Sequence, residues 1–521
     1  MTTHLVAILA DQLLRDHPAL RHAQTLANKT DIHVVLVESR RRLQLRPYQR
    51  HKLVLVLSAL RHYADALRAQ GWMLTVVHAD RWRDALQTMV SATHTTSIIT
   101  MAGAEYAARQ AQNRWSTWLR VPVTVLPNTQ FLSAAVPRTK PMTSQKMETF
   151  YRAMRRHYGV LIEPDGTPTG GEWNFDADNR KPLPARTPIP SVAGYQPDAL
   201  TMQVIAEVSA YPQAIGDAQT FDLPVTHADA TTALERFVRE RLPNFGRYED
   251  AMAQYHDVLF HSLLSPALNL GLLEPMTVIR AAEQAYRAGI APIAAVEGFV
   301  RQILGWREYM YQCYWELMPD LRTMNHWQAT RPLPEWFWQG RSGMHCIDTV
   351  IARTWRRGYV HHIERLMILT NFCMLAGIDP VAVNAWFLAG YIDAYDWVMW
   401  PNVSGMGLNA DGGMIATKPY VASGAYITRM SDYCGSCQFD PTVRTGPTAC
   451  PYTLLYWNFL LTHQDLLRRN PRMGPAVLGL KHVTDAQKTD IPRQATIWLE
   501  QMHPAVRPAP SDTPIQASLL P

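Results

Sequence analysis

Cysteine is scarce, with six residues in 521, and no stretch reaches the ~18 uninterrupted apolar residues that a membrane span needs. The opening THLVAILADQLL has no basic start followed by a cleavage site, so it reads as a first strand and not as a secretory leader. Together these shortages exclude a disulfide framework and point to a reducing compartment, the cytoplasm, where thiols stay free to bind metal. No G-x-G-x-x-G occurs near the first strands, so a dinucleotide fingerprint is missing there. Heptads and internal repeats are also missing. Charged residues make up only 18% of the chain against 47% hydrophobic, which describes a globular protein and excludes a disordered one.

What is present divides the chain in three. Residues 1–130 alternate apolar runs with helical patterns: HLVAILA (4–10), HVVLVE (33–38), MLTVVHA (73–79), TSIITMAG (96–103) and PVTVLPN (122–128) read as strands. Strands separated by helices predict an α/β domain with a doubly wound parallel sheet. Such sheets bind ligands beyond the carboxyl ends of their strands, which nominates Asp11, Gln12 and Glu38. Residues 131–215 turn rich in proline and glycine after a short helix near 144–158, and read as a linker. Within it Asn179, Arg180 and Lys181 are candidates to touch a phosphate backbone. From 216 to 521 the pattern is almost wholly helical, predicting a large all-α domain, with a proline-rich tail after about 490.

The net charge of +6 is mild, but arginines bunch at 40–52 and 152–159, which suits an anionic partner such as nucleic acid. Sixteen tryptophans and 21 tyrosines suit either core packing, a flavin pocket or a chain of redox-active rings. Four of the six cysteines form a pattern: Cys434, Cys437 and Cys450 in C-x2-C-x12-C, and Cys346 upstream in GMHCIDTV. Four soft thiolates enclose either a tetrahedral zinc or an iron–sulfur cube. Cys313 and Cys373 lie on apolar helical stretches and read as packing residues.

The segments RYEDAM (247–252), HSLLSPALNLGLL (261–273), GFVRQILGWREYMY (298–311) and HHIERLMIL (361–369) resemble, in order and spacing, the photolyase/cryptochrome superfamily. The four cysteines, with GGEWNFDADNRKP (170–182), DAYDWVMWPNVSGMG (393–407) and the run 410–434, narrow the likeness to the bacterial iron–sulfur branch of prokaryotic (6-4) photolyases and cryptochromes. The likeness runs from about residue 4 to about 500. It implies an antenna domain at 1–130, a linker at 131–215 and a helical domain at 216–521 that wraps FAD and a [4Fe–4S] cluster held by Cys346, Cys434, Cys437 and Cys450. It further implies a ribityl-lumazine antenna at Asp11, Gln12 and Glu38. The expected protein is a monomer that repairs UV-damaged DNA under blue light, the alternative being a photoreceptor with the same cofactors.

Site residues follow from the same likeness. SLLSP opens a helix, and free N–H groups with small hydroxyls make a diphosphate cradle; Ser262, Ser265, Arg307 and Tyr248 would serve there. Gln302, Arg365, Asp393 and Tyr395 match flavin-contacting positions. His362 stands where the (6-4) enzymes have histidine, and His361 precedes it. A ring that titrates near neutrality suits proton donation to a reduced lesion. The second histidine of the eukaryotic enzymes is replaced by Leu366. Tyr420 and Tyr426 match lesion-pocket tyrosines, Asp250 matches a Mg²⁺-binding acid, and Trp386 and Trp338 match the photoreduction path. Two departures predict altered flavin reduction. Phe387 stands where a tyrosine is usual, and Met399, a weak acceptor and no donor, stands where a polar group usually faces flavin N5.

Overall fold

The computed structural model describes residues 3–137 and 140–502; the proline-rich segment 503–521 lies outside them. Strands β1 (Thr3–Ile8), β2 (Ile32–Ser39), β3 (Met73–Ala79), β4 (Thr95–Met101) and β5 (Val123–Leu126) match the five apolar runs. They form one parallel sheet in the order β3-β2-β1-β4-β5. Alternation along β1 explains why the run is apolar throughout. Leu5 and Ala7 pack on one face with Leu86 and Trp115, while Val6 and Ile8 pack on the other with Leu57 and Leu60. A strand buried on both faces has no polar side to show. The order reverses between β2-β1 and β1-β4, so the crevice lies at the carboxyl end of β1, next to Asp11 and Gln12.

The linker is more structured than its composition suggests. Helix Met147–Tyr158 ends at Gly159, and helix Ala199–Ser209 is capped by the Asp198 side chain on Thr201 N–H. Val204, Ile205 and Val208 bury against the α/β domain, and Arg61 bridges Glu38 to Glu207. Of the three residues expected to reach phosphate, Asn179 is corrected, while Arg180 and Lys181 stay exposed. Asn179 is buried against Gly246 and Gly298, where any Cβ would collide with it. Arg180 is paired with Glu249 and Asp176, and Lys181 Nζ donates to Ala177 O at 2.7 Å.

The rest is helical, yet three stretches widen into π-helical turns, Arg301–Arg307, Glu364–Thr370 and Trp400–Gly407. Such turns insert one residue per cycle and redirect side chains, and they recur at functional sites. Here they carry Gln302 and Arg307, then Arg365, then Asn402 into one cavity. The first is anchored by a buried ion pair: Arg301 Nε donates to Glu297 Oε1 at 3.1 Å and Nη1 to Asp176 Oδ1 at 2.6 Å, fastening the linker to the helical domain. Removing one partner of a buried pair leaves an uncompensated charge, a loss of about 3–5 kcal/mol. Arg301→Met is expected to lower unfolding free energy by that amount in urea titration, and the double variant with Glu297→Gln to recover part of it.

Candidate functional site

A cavity of about 290 Å³ lies among the three π-turns and helix Ser265–Leu270. Ser262, Ser265, Gln302, Arg307, Arg365, Asp393 and Met399 all line it. Tyr248 and Tyr395 do not: Tyr248 stacks on Phe260 at 5.4 Å, and Tyr395 lies under Lys52 Nζ, 5.7 Å from its ring. Asp393 is the fixed point of the cavity wall. Its carboxylate accepts from Ser265 Oγ at 2.7 Å and from both Arg365 Nη groups at 2.9 and 3.2 Å. Arg365 is therefore spent on holding the wall, and its Nε donates to Val360 O. Arg307 is different. Nη1 bonds Gln130 O and Glu308, while its buried Nε and Nη2 have no partner. Burial holds its pKa below the usual arginine range, and an anion against those two N–H groups would satisfy both. An orphaned guanidinium in a mostly apolar cavity fits a diphosphate bearing an aromatic ring, so the residues present fit FAD. Asn402 and Trp397, unforeseen from the sequence, also line the cavity; Asn402 Nδ2 donates to Val398 O at 2.7 Å.

At one side of the cavity three histidines cluster. His261 and His361 stack with ring centroids 4.4 Å apart, and His261 meets His362 edge-on at 5.3 Å. His361 is fully buried and does not line the cavity, so it cannot touch a substrate; His362 does line it, with half its side chain in solvent. Burial first, then the neighbouring rings and arginines, pushes the pKa values of His261 and His361 well below the usual histidine value, so both stay neutral. Only His362 is placed to exchange a proton with solvent. Behind the rings Glu364 Oε2 is 3.6 Å from His361 Nε2, and burial pushes the Glu364 pKa up to about 7 against the pull of Arg353. Asp250 Oδ1 lies 3.8 Å from His362 Nε2. Tyr420 and Tyr426 are partly buried, and the Asp250 carboxylate adds to burial in raising both phenols.

Trp386 and Trp338 share no direct ring contact. Trp355, which sequence reading missed, sits between them: T-shaped to Trp386 at 5.7 Å and stacked on Trp338 at 5.5 Å. The indole N–H groups of Trp355 and Trp386 both donate to Phe337 O, at 3.0 and 3.1 Å, which locks their mutual angle. Phe387 lines the cavity and lies 5.4 Å from Trp386.

All four patterned cysteines line one small cavity with Tyr433, Phe439 and Tyr452. Burial and then the other three thiols push Cys346 well up, since four thiolates without a cation repel one another. Gly424 is required here, because a Cβ would come within 3.2 Å of Cys450 Sγ and 2.9 Å of Pro441. A thiol tetrad in an apolar pocket fits a thiolate-bound metal or iron–sulfur cluster. Cys313 and Cys373 are buried elsewhere, as expected.

At the sheet crevice, burial and Glu105 push Asp11 up to about 7 against the pull of Arg42. Gln12 Nε2 donates to Ala102 O, while its buried Oε1 has no partner. That orphaned oxygen fits a ligand donor. Glu38 fits less well: both its oxygens are taken by Arg61, at 2.8 and 3.0 Å, with His78 at 3.1 Å.

Residues 6–223 match the family model described as deoxyribodipyrimidine photo-lyase-related protein. A (6-4) photolyase of Agrobacterium fabrum is 38% identical over 510 residues, covering 96% of this chain and all of the relative. Among solved structures, a bacterial class III photolyase from Agrobacterium tumefaciens aligns over 96% of this chain and 92% of its own, with a TM-score of 0.53 at 16% identity. A Synechocystis cryptochrome aligns over 96% and 94%, with a TM-score of 0.57 at 14% identity. With cavity, histidines and parallel sheet in place, and a relative matched along its whole length, the chain belongs to the photolyase/cryptochrome superfamily.

Proposed function

We propose that the protein is a light-driven repair enzyme for (6-4) photoproducts in UV-damaged DNA, with FAD in the central cavity. The observation that carries this reading is His362: one half-exposed histidine on the cavity wall, backed by two buried neutral rings. The bound flavin supplies a single electron to the lesion under blue light. The chain's own residues do the rest. Arg307 receives the diphosphate through its two unsatisfied N–H groups, while Arg365 and Asp393 keep the wall rigid. His362 holds the proton that the reduced base needs, and Tyr420 and Tyr426 offer hydroxyls to a base drawn out of the helix. A lesion is already unstacked, so extrusion costs less for it than for intact DNA. Asp250 can give Mg²⁺ one oxygen ligand, with water and DNA phosphate completing the shell. The four cysteines hold an iron–sulfur cluster with a structural role, joining helix His345–Arg357 to the 434–450 loop. Asp11 and Gln12 receive a lumazine antenna, with Glu38 kept in its ion pair. The near-full-length likeness to a (6-4) photolyase supports repair over the photoreceptor alternative. We place the chain in the cytoplasm as a monomer; no helix among the described residues is long and apolar enough to cross a membrane.

Illumination of the reduced protein with DNA carrying one defined (6-4) lesion should restore the bases, as read by product chromatography. His362→Ala should cut the rate about 10²–10⁴-fold, and repair of a cyclobutane dimer in its place would sink the reading. Flavin photoreduction should slow in Trp355→Phe and quicken in Met399→Glu, timed by visible absorbance; unchanged rates in both would refute the path and the N5 argument. Anaerobically isolated protein should carry iron and acid-labile sulfide. Cys346→Ala should lose both and melt at lower temperature, whereas stoichiometric zinc in the parent would exclude the cluster.

A further inference from the structure

In the segment expected to grip phosphate Asn179 is buried and Arg180 is paired with acids, and further cations without acidic partners stand beside Tyr420 and Tyr426. Lys418 Nζ lies 5.7 Å from the Tyr420 ring centroid, and the Arg429 guanidinium 5.3 Å from that of Tyr426. Arg472 comes from a different part of the chain. Its Nη1 donates to Thr417 Oγ1 at 2.7 Å and Asn470 Nδ2 donates to Thr417 O at 2.9 Å, so the 470–472 turn is pinned directly onto the residue before Lys418. None of the three cations pairs with a carboxylate among the described residues, whereas Arg301, Arg353, Arg356 and Arg365 of the helical domain do. Lys418 is partly buried, and its pKa falls below the usual lysine value, first through burial and then through Arg472. The fold therefore holds two like charges together and leaves the repulsion unrelieved. An anion shared between them would relieve it.

We propose that Lys418 and Arg472, with Arg429 beside Tyr426, form a phosphate-gripping rim that holds the DNA backbone beside the nucleotide drawn into the cavity. The inference rests on the repair reading and adds where the backbone sits. A nucleotide entering between Tyr420, Tyr426 and His362 carries a phosphate on either side of its sugar, and these reach the rim as the base enters. Asp250, the carboxylate next to His362, lies within electrostatic reach of both tyrosines. Thr417 orients the Arg472 fork in advance, which reduces the ordering cost of a bidentate phosphate contact. The rim reads backbone and not sequence.

The test is fluorescence anisotropy of the flavin-loaded protein with a short duplex, with and without a single (6-4) lesion, across a range of salt. Lys418→Gln and Arg472→Gln should each weaken binding to both duplexes about tenfold at low salt and lower the slope of log affinity against log salt by about one. Arg472→Lys should keep most of the slope, and thermal melting with flavin absorbance shows whether each variant is folded. Parent and variant slopes that coincide, while the parent still repairs the lesion, would overturn the rim and leave the repair reading standing. A parent that binds neither duplex and repairs nothing would overturn both.

Discussion

The buried pair of Arg353 and Glu364 joins the two chemical centres of the helical domain. Arg353 Nη1 bonds Glu364 Oε1 at 2.6 Å and Tyr433 Oη at 2.9 Å, its Nε pairs with Asp257 at 3.0 Å, and Nη2 donates to Ala253 O. One side chain thus gathers the 250–257 loop that carries Asp250, the π-turn that follows the histidines, and the residue that precedes Cys434. The geometry is costly to assemble, since burial lifts Glu364 far above a surface carboxylate even beside a guanidinium. It persists because every nitrogen of that fork has an acceptor. The position of His362 over the cavity and the position of the cysteine pocket are two ends of the same network.

The two arginines of the flavin cavity show how similar residues divide the work. Arg365 is consumed by Asp393, and its value is rigidity: the pair, with Ser265, sets three separate elements at fixed spacing. Arg307 keeps part of its hydrogen-bonding capacity free, with Glu308 offsetting some of its charge. A wall group that also bound ligand would lose its geometry when the ligand left. A ligand group tied wholly to the wall would have nothing to offer.

Periodicity made the sheet legible, because β1 and β2 are buried on both faces and cannot be anything but apolar strands. The cysteine tetrad was legible because thiols are few, and the cavity residues through segments whose order survives as resemblance. Three things were hidden for physical reasons. The π-turns keep helical periodicity to within one residue, so windows around 294–318 and 361–377 read as plain helix. Trp355 lies in an ordinary amphipathic helix, and only tertiary packing puts it between Trp338 and Trp386. Whether a cation is spent or free depends on which carboxylates fold against it. Arg180 was a candidate and is paired with Glu249; Arg472 drew no notice in the sequence and bonds Thr417 with no carboxylate partner among the described residues.

The same accounting of cations separates two aromatic rows beside the proposed flavin cavity. One starts on the cavity wall, and the other starts one ring behind it, at Trp386 next to Phe387. One passes from Trp397 to Tyr311 at 5.9 Å and on to Trp315 at 6.2 Å. The other passes from Trp386 through Trp355 to Trp338. Ring spacing does not separate them, since both make contacts near 6 Å. Charge does. Arg307 sits 5.2 Å from the Trp397 ring and Arg109 only 3.8 Å over Trp315, and a fixed cation opposes removal of an electron from the ring it faces. No cation lies over Trp386, Trp355 or Trp338 among the described residues, and Trp338 is partly open to solvent, where an external reductant can refill it. Arg365, 4.0 Å over Tyr391, closes the remaining detour around Phe387 in the same way. Phe387, which carries no phenol, stands between the cavity and Trp386, and the row Trp386–Trp355–Trp338 is the one without an opposing cation among the described residues.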